Sequence, residues 1–371
     1  MCLRFLYTIS LLSLFFVNNI HAGEKTIIAE GNFSSGLIEN TLPATTVAIA
    51  ENINFIQLQV VMTADNKLII LQNLTLNGIT DVARVFPDRN RKDGNYFAVD
   101  FTLQEIRQLR VSNPFDTTEY PLTAAIPTLA EELGLIRTLE QHFNKPISIS
   151  VEIRHPWFHK DAGKDISAVT LNTLADFGYG TDRDTLLIQC FDPEELQRIH
   201  TSLLPEKQLN IPLIQLIGSN DGKETRQLTQ GRWEAYNFDW LFTNIGLRMV
   251  ATYASAIALP SSSIVDTQGN LLLAPYIQDI HKYGLRLFVY SLNNQSDEFP
   301  PFATDFSSLL NFYFITAKVD GAYTNSFNEI LQYLKDTAYV KKQKNSLPSF
   351  FSSLDLSRPK AKEPIQNDTE E

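Results

Sequence analysis

Polar side chains that could take part in chemistry lie within or directly after two apolar, β-branched runs at 55–61 and 68–71. The runs are joined only by the segment from Met62 to Lys67. A parallel crossover needs about a dozen residues or more, so we predict an antiparallel hairpin that turns at Asp65 and Asn66.

The polar side chains of this hairpin are neutral amides. Gln57 and Gln59 are two residues apart and share one face of their strand. Gln59 and Gln72 are equidistant from the turn, so we expect them to face each other across the pair. An amide cannot donate and regain a proton near neutral pH, and its oxygen coordinates a cation weakly. These residues, together with Asn73, form either a neutral hydrogen-bond network or a polar binding pocket.

Charged residues follow another strand-like run, at 147–151. Glu152 and Arg154 are two residues apart, which is typical of an internal ion pair but also places a cation at a possible site. His155 and His159 come next, at the end of the strand where barrel enzymes keep their sites. They are either an acid–base pair or scaffold residues. No histidine lies between residues 22 and 141, so the hairpin itself has none.

The stretch from 27 to 81 resembles the opening of the glycerophosphodiester phosphodiesterase family, in particular its periplasmic type. That family reads A-H-R-G, E-x-T-L, E-x-D-x-x-x-T-x-D and H-D. The scaffold segments are kept here as Glu39-Asn40-Thr41-Leu42, Val61-Met62-Thr63-Ala64-Asp65 and Thr80-Asp81-Val82-Ala83. The chemical positions differ, because they read Ala29-Glu30-Gly31-Asn32, Gln57-Leu58-Gln59 and Gln72-Asn73.

The resemblance extends over about residues 25–335. Glu152 to His159 is similar to the family's E-I-K-x-P-W-F-H, and Val319 to Asn325 is similar to its closing strand. The family fold that this implies is a TIM-type (β/α)8 barrel, here with the antiparallel hairpin in its wall and an insertion at about 74–146.

The resemblance also implies roles for individual positions. The family hydrolyses glycerophosphodiesters to glycerol 3-phosphate and an alcohol, with two histidines as acid and base and a divalent ion, commonly calcium. The histidine positions are Glu30 and Gln72. The metal positions are Gln57, Gln59 and Glu152, of which only Glu152 is acidic. The phosphate-binding arginine position is Gly31, and Arg154 stands where the family has lysine.

The remaining chain supports an alternation of strands and helices, which favours a mainly parallel barrel. We predict strands at 26–29, 55–61, 68–71, 147–151, 185–190, 213–217, 256–259, 285–290 and 321–323. We predict helices at 43–51, 129–143, 168–177, 193–203, 245–254, 274–283 and 327–336. Tyr290 and Trp240 are candidates for a ligand wall, although core packing is the more common role of aromatic side chains.

Both ends of the chain have a composition of their own. Residues 1–22 are typical of a secretory signal peptide, with Arg4 before an apolar run that is short for a bilayer span. Residues 340–371 are typical of a disordered tail, which leaves 23–339 for the barrel.

Removal of the leader leaves Cys190 as the one thiol, so no intramolecular disulfide is expected. We therefore predict a secreted or periplasmic protein without stable membrane insertion.

The formal net charge of −11 argues against a nucleic-acid partner. The lost histidines and acids predict a catalytically degenerate family member, with a pocket for a small polar or phosphorylated ligand or a role in interaction, and without a tightly bound cofactor. The alternative is an active phosphodiesterase. A third possibility is a glycoside-type hydrolase that uses Glu30 and Glu152 as its carboxylate pair.

Overall fold

The computed structural model describes residues 25–31, 37–112, 122–180, 186–294 and 299–337. The leader predicted at 1–22 and the tail predicted at 340–371 lie outside the described residues. Within the described ranges the strands are β1 Thr26–Ala29, β2 Phe55–Met62, β3 Leu68–Ile70, β4 Val111–Ser112, β5 Thr123–Ala124, β6 Ser148–Ile153, β7 Leu186–Cys190, β8 Leu213–Leu216, β9 Arg226–Thr229, β10 Arg232–Ala235, β11 Ala256–Pro260, β12 Arg286–Tyr290 and β13 Gly321–Thr324.

Eight parallel strands form a closed barrel, which confirms the predicted fold. Their order is β1, β2, β6, β7, β8, β11, β12 and β13, and β13 pairs with β1 again. The circle closes between β1 and β2, where Ala29 is opposite Ile56. All eight residues of β2 are buried, because a parallel strand of a barrel has packed side chains on both faces.

Helices follow the strands and cover the barrel. They are α1 Leu42–Ala50, α2 Val82–Val85, α3 Leu103–Ile106, α4 Leu129–Phe143, α5 Pro156–Asp161, α6 Ile166–Asp176, α7 Pro193–Arg198, α8 Leu204–Glu206, α9 Asn244–Tyr253, α10 Ala274–Lys282, α11 Phe306–Asn311 and α12 Phe327–Asp336. Thr128 and Glu131 form a capping box at the start of α4, which fixes where this helix begins. None of the helices in the described ranges combines the length and the apolar character that crossing a bilayer requires.

The predicted hairpin is present, but its register differs from the prediction by one residue. Strand β3 runs antiparallel to β2, with Val60 opposite Ile70. The backbone N–H of Leu71 donates to Gln59 O at 2.9 Å, so Gln59 is opposite Leu71 and not Gln72. The reason is the turn, in which Asn66 has φ +60° and Thr63 pairs with Lys67. The loop therefore has about three residues, whereas the predicted register assumed two.

The predicted insertion at about 74–146 divides into two parts in the structure. Its first part builds a separate apolar cluster from residues such as Leu76, Tyr96 and Phe101, together with Val61 and Ile69 of the hairpin. Its second part is helix α4, which packs against the main barrel core. By the alternation of side chains along β2, Val61 lies on the same strand face as Gln57 and Gln59. The insertion therefore packs beyond the predicted site residues, at the end of the strand face that carries them.

Candidate functional site

A cavity of about 180 Å³ lies at the carboxyl ends of the barrel strands. It brings together most of the side chains that the sequence singled out. The predicted residues in its wall are Glu30, Gln57, Gln59, Gln72, Glu152, Arg154 and Tyr290. A larger cavity of about 390 Å³ lies between α5, α7 and the β9–β10 hairpin, but several of its charged side chains are already paired, as Arg198 is with Asp165 and Glu195.

The carboxylate of Glu152 is the centre of the polar network in the smaller cavity. Its Oε2 accepts hydrogen bonds from Gln57 Nε2 at 2.8 Å and from Gln59 Nε2 at 3.0 Å. Gln189 Nε2 lies 3.4 Å from the same oxygen, and Arg154 donates to Oε1. Amide groups of the neighbouring strands β2 and β7 therefore surround Oε2, and Arg154, just beyond the end of β6, holds Oε1.

Gln189 belongs to the site, although sequence analysis did not single it out as a site residue. Its Oε1 accepts from Ser150 Oγ at 2.8 Å and from the hydroxyl of Tyr323, so its amide nitrogen is turned towards Glu152. A polar residue inside the apolar run of β7 was the signal that could have revealed it. Tyr323 is only 1 % exposed, and its hydroxyl donates to this amide oxygen.

Arg154 is a buried cation between two carboxylates. It pairs with Glu152 and lies 3.4 Å from Glu224 Oε2. Burial lowers the pKa of Arg154, but the two carboxylates outweigh that effect and hold it above the usual value. Glu224, which sequence analysis missed, lies in the segment between β8 and β9, and burial raises the pKa of its carboxyl.

Glu30 directly follows β1 and reaches the same cavity. Burial, and then the charge of Glu152, raise the pKa of Glu30 to about 7. This carboxyl can therefore exchange a proton near neutral pH, as a histidine does. Glu30 and Glu152 share the cavity, but both oxygens of Glu152 are already occupied by donors.

The positions of the family's second histidine and of its phosphate-binding arginine, Gln72 and Gly31, carry no charged side chain here. Gln72 is an exposed amide in the cavity wall. Gly31 has φ +66°, and a Cβ there would lie 2.9 Å from Glu39 Oε2. An arginine at position 31 would therefore require a left-handed backbone and a shift of the Glu39 side chain.

His155 and His159 are not in the wall of this cavity. Burial, and then the charge of Arg154, lower the pKa of His155 to about 3. Burial and the charge of Lys164 lower the pKa of His159 to about 4. Neither ring nitrogen of His159 has a hydrogen-bond partner among the described residues. Both imidazoles are neutral near pH 7, which does not suit an acid–base pair at that pH.

The two aromatic candidates have different positions. Tyr290 lines the cavity, with its hydroxyl 2.9 Å from Ile217 O and its ring edge-to-face with Phe191 at 6.0 Å. Trp240 is not in the cavity wall. Its Nε1 donates to Tyr236 OH at 2.8 Å, and its ring packs against the core. The structure therefore places Tyr290, but not Trp240, in the wall of this cavity.

The cavity residues do not fit a calcium site. Calcium takes about six to eight oxygen ligands. At the predicted metal positions, however, Gln57 and Gln59 direct amide N–H groups at Glu152, and Arg154 already neutralises that carboxylate. No group of three or more histidine, cysteine or acidic residues suited to a metal occurs within the described ranges.

The fold and the position of the site define a (β/α)8 barrel with a polar pocket at the carboxyl ends of its strands. Residues 29–329 match the model of the glycerophosphoryl diester phosphodiesterase family. The chain belongs to this family.

Named relatives agree with the assignment. A glycerophosphodiester phosphodiesterase of Haemophilus influenzae is 32 % identical over 84 % of this chain and 90 % of the relative. One of Treponema pallidum is 33 % identical over 79 % of this chain and 87 % of the relative.

Solved structures share the fold at low identity. An Oleispira antarctica phosphodiesterase in complex with the product sn-glycerol-3-phosphate has a TM-score of 0.56 at 17 % identity, and the match covers 84 % of this chain and 96 % of that one. A glycerophosphodiester phosphodiesterase of Parabacteroides distasonis has a TM-score of 0.55 at 14 % identity, with 85 % and 100 % covered.

Proposed function

We propose that this chain is a catalytically degenerate member of the glycerophosphoryl diester phosphodiesterase family that keeps the barrel-mouth cavity as a binding pocket. The observation that carries the proposal is the surroundings of Glu152, whose carboxylate is held by Gln57, Gln59 and Arg154. A carboxylate that is already neutralised and hydrogen-bonded gains little from a calcium ion, and the ion would meet the charge of Arg154.

Proton transfer supports the same proposal. Hydrolysis of a phosphodiester needs one group to activate the nucleophile and one to protonate the leaving group. Glu30, with a pKa of about 7, can perform one of these tasks. The position expected for the second group is Gln72, whose amide does not titrate near neutral pH.

The retained pocket suits a small polar ligand. The Oleispira antarctica phosphodiesterase is described in complex with sn-glycerol-3-phosphate, a molecule of a size that a cavity of about 180 Å³ can hold. Residues 1–22 predict export of the chain, which would expose this pocket to solutes of the periplasm or of the medium outside the cell.

The second candidate is an active phosphodiesterase. Its support is the identity of 32 % and 33 % to two named phosphodiesterases over most of both chains. In that case Glu30 acts as the one titrating group, and catalysis proceeds by a chemistry other than the two-histidine reaction of the family.

The test is hydrolysis of glycerophosphocholine by the purified protein with and without calcium chloride. We expect no turnover above background, because each lost acid–base group costs about 10²- to 10⁴-fold. The Haemophilus influenzae relative is the positive control. Turnover near one per second that disappears in Glu30→Ala or Glu152→Ala would establish the active alternative, since a contaminating enzyme would not respond to these substitutions.

Calcium binding gives an independent measurement. We expect calorimetry to detect no calcium binding in the low micromolar range, because the charged ligands that give calcium sites their affinity are replaced by amides. A low micromolar dissociation constant that is lost in Glu152→Ala would contradict the proposal.

A further inference from the structure

The charge of the cavity wall is unusual for a phosphate-binding pocket. The wall contains the carboxyl groups of Glu30, Glu152 and Glu224 and the guanidinium group of Arg154. Arg154 is already shared between Glu152 and Glu224. A phosphorylated ligand would therefore bring a further negative charge to a wall in which acids outnumber bases, with the one cation engaged.

Two buried oxygen atoms of the wall lack a hydrogen bond. They are Gln57 Oε1 and Glu224 Oε2, and neither accepts one from any described residue. Glu224 Oε2 lies 3.4 Å from Arg154 Nη1, which is an ion-pair contact. Buried polar atoms are normally satisfied, so these two acceptors call for a ligand that supplies hydrogen-bond donors.

One buried donor of the wall also lacks a partner, namely Arg154 Nε. A ligand that satisfies all three atoms must offer donors for the oxygens and at least one acceptor for this nitrogen. A phosphate offers acceptors, whereas an ammonium group offers three donors and a positive charge.

We propose that the barrel-mouth cavity binds a small protonated amine that also carries a hydroxyl group, in preference to a phosphorylated ligand. The ammonium group takes the position facing Gln57 and Glu224, and the hydroxyl oxygen is the acceptor for Arg154. This inference rests on the proposed function, in which the cavity is a binding pocket. A metal cation is disfavoured, because Gln57 Nε2 and Gln59 Nε2 face the shared carboxylate of Glu152.

The test compares three probes that share one carbon frame and differ in charge. They are 3-amino-1,2-propanediol, glycerol and sn-glycerol 3-phosphate, each titrated into the purified full chain by calorimetry at low salt. We expect the amine to bind about tenfold or more tightly than glycerol, and glycerol 3-phosphate to bind more weakly than glycerol. Tighter binding of the phosphate, or no binding of the amine, overturns the inference.

A substitution in the wall connects the binding to this cavity. Glu224→Gln keeps the shape of the side chain and removes its charge, so we expect it to weaken amine binding about fivefold or more. Glu234→Gln makes the same change at an exposed position of β10 and should leave the affinity unchanged. Should Glu224→Gln fail to fold in a thermal scan, Glu30→Gln removes the charge of another carboxyl group in the wall. Equal amine affinity in the folded wall variant and in Glu234→Gln overturns the inference.

Calcium competition and turnover separate this inference from the proposed function. Displacement of the amine by micromolar calcium chloride would show a metal site and overturn the inference. Hydrolysis of glycerophosphocholine would refute the proposed loss of catalytic activity. The ranking of the three probes would still decide which class of ligand the cavity prefers.

Discussion

At the scale of single residues, Glu132 is a buried acid outside the cavity wall. It lies on α4 and is 0 % exposed. Burial raises the pKa of Glu132 to about 7 from an ordinary value of 4.5. The folded protein therefore favours the protonated, neutral form of this side chain.

This shift predicts that stability falls as pH rises. A carboxyl group whose pKa is raised on folding contributes stability below its unfolded pKa, and that contribution is lost between pH 4.5 and about 7. We expect Glu132→Gln to increase the free energy of unfolding by about 1–3 kcal/mol at pH 8 and much less at pH 5. Urea denaturation at both pH values measures this difference. Glu51→Gln, at the exposed end of α1, is the control, and an equal gain at both pH values would contradict the prediction.

Several site residues could be predicted because the chemistry of their strands is local. Gln57 and Gln59 interrupt a buried strand, and their spacing of two residues places both on one face. Glu152 and Arg154 follow the same rule on β6, although Arg154 is just beyond the strand end. Glu224 could not be predicted, because it lies in an irregular segment after β8 and reaches the cavity only through the tertiary fold.

At the scale of elements, β13 is closely packed at its first residue. A Cβ on Gly321 would lie 2.3 Å from Phe288 Cε1 and 2.6 Å from the backbone oxygen of Thr26. Strands β12 and β1 can therefore approach β13 from both sides only because residue 321 has no side chain.

We expect Gly321→Ala to destabilise the protein by about 1–3 kcal/mol, because overpacking at a closed barrel has no room to relax. Gly134→Ala is the matched control. Gly134 lies inside α4, where the new methyl group would be 3.8 Å from Phe177 Cε1, so we expect a gain of about 0.5–1 kcal/mol from helix propensity. Thermal or urea unfolding of both variants tests this, and a neutral Gly321→Ala would show that the barrel closure can shift.

The long periodic elements could be predicted from sequence, whereas short connections could not. The helices at 129–143 and 327–336 begin and end where expected. Helix α5 has six residues, and the β9–β10 hairpin has mostly exposed or half-buried side chains, so neither has an apolar pattern of sufficient length. The register of the β2–β3 hairpin depended on the length of its loop, which the sequence leaves open by one residue.

At the scale of the whole molecule, the positions that carry catalysis and metal binding in the family depend on one another for activity. We expect no single restoration to produce activity. Gln72→His alone would have Glu30 as a second titrating group, but it would still lack the metal and the phosphate-binding arginine. The pair Gln57→Glu and Gln59→Asp adds two acids beside Glu152, which should raise carboxyl pKa values and lower the melting temperature unless calcium is added. Melting curves with and without calcium chloride measure this effect.

A quintuple variant restores all five family positions at once: Glu30→His, Gly31→Arg, Gln57→Glu, Gln59→Asp and Gln72→His. We expect its phosphodiesterase activity to exceed that of any single variant by about 100-fold or more, because groups that act together are strongly non-additive. Position 31 is the most demanding, given its φ of +66° and the nearby Glu39. Appreciable activity in any single variant would refute the assigned roles. A folded but inactive quintuple variant would mean that the pocket geometry of this chain also differs from that of an active family member.

The hairpin β2–β3 takes part in two hydrophobic cores at once. Val60 and Ile70 pack into the barrel core, while Val61 and Ile69 pack into the separate apolar cluster that the insertion forms. Solvent can therefore reach the amide hydrogens between these strands only when both cores open together. Native-state hydrogen exchange should find these amides among the slowest of the chain, and a ligand in the cavity should slow amides of the insertion that it never touches.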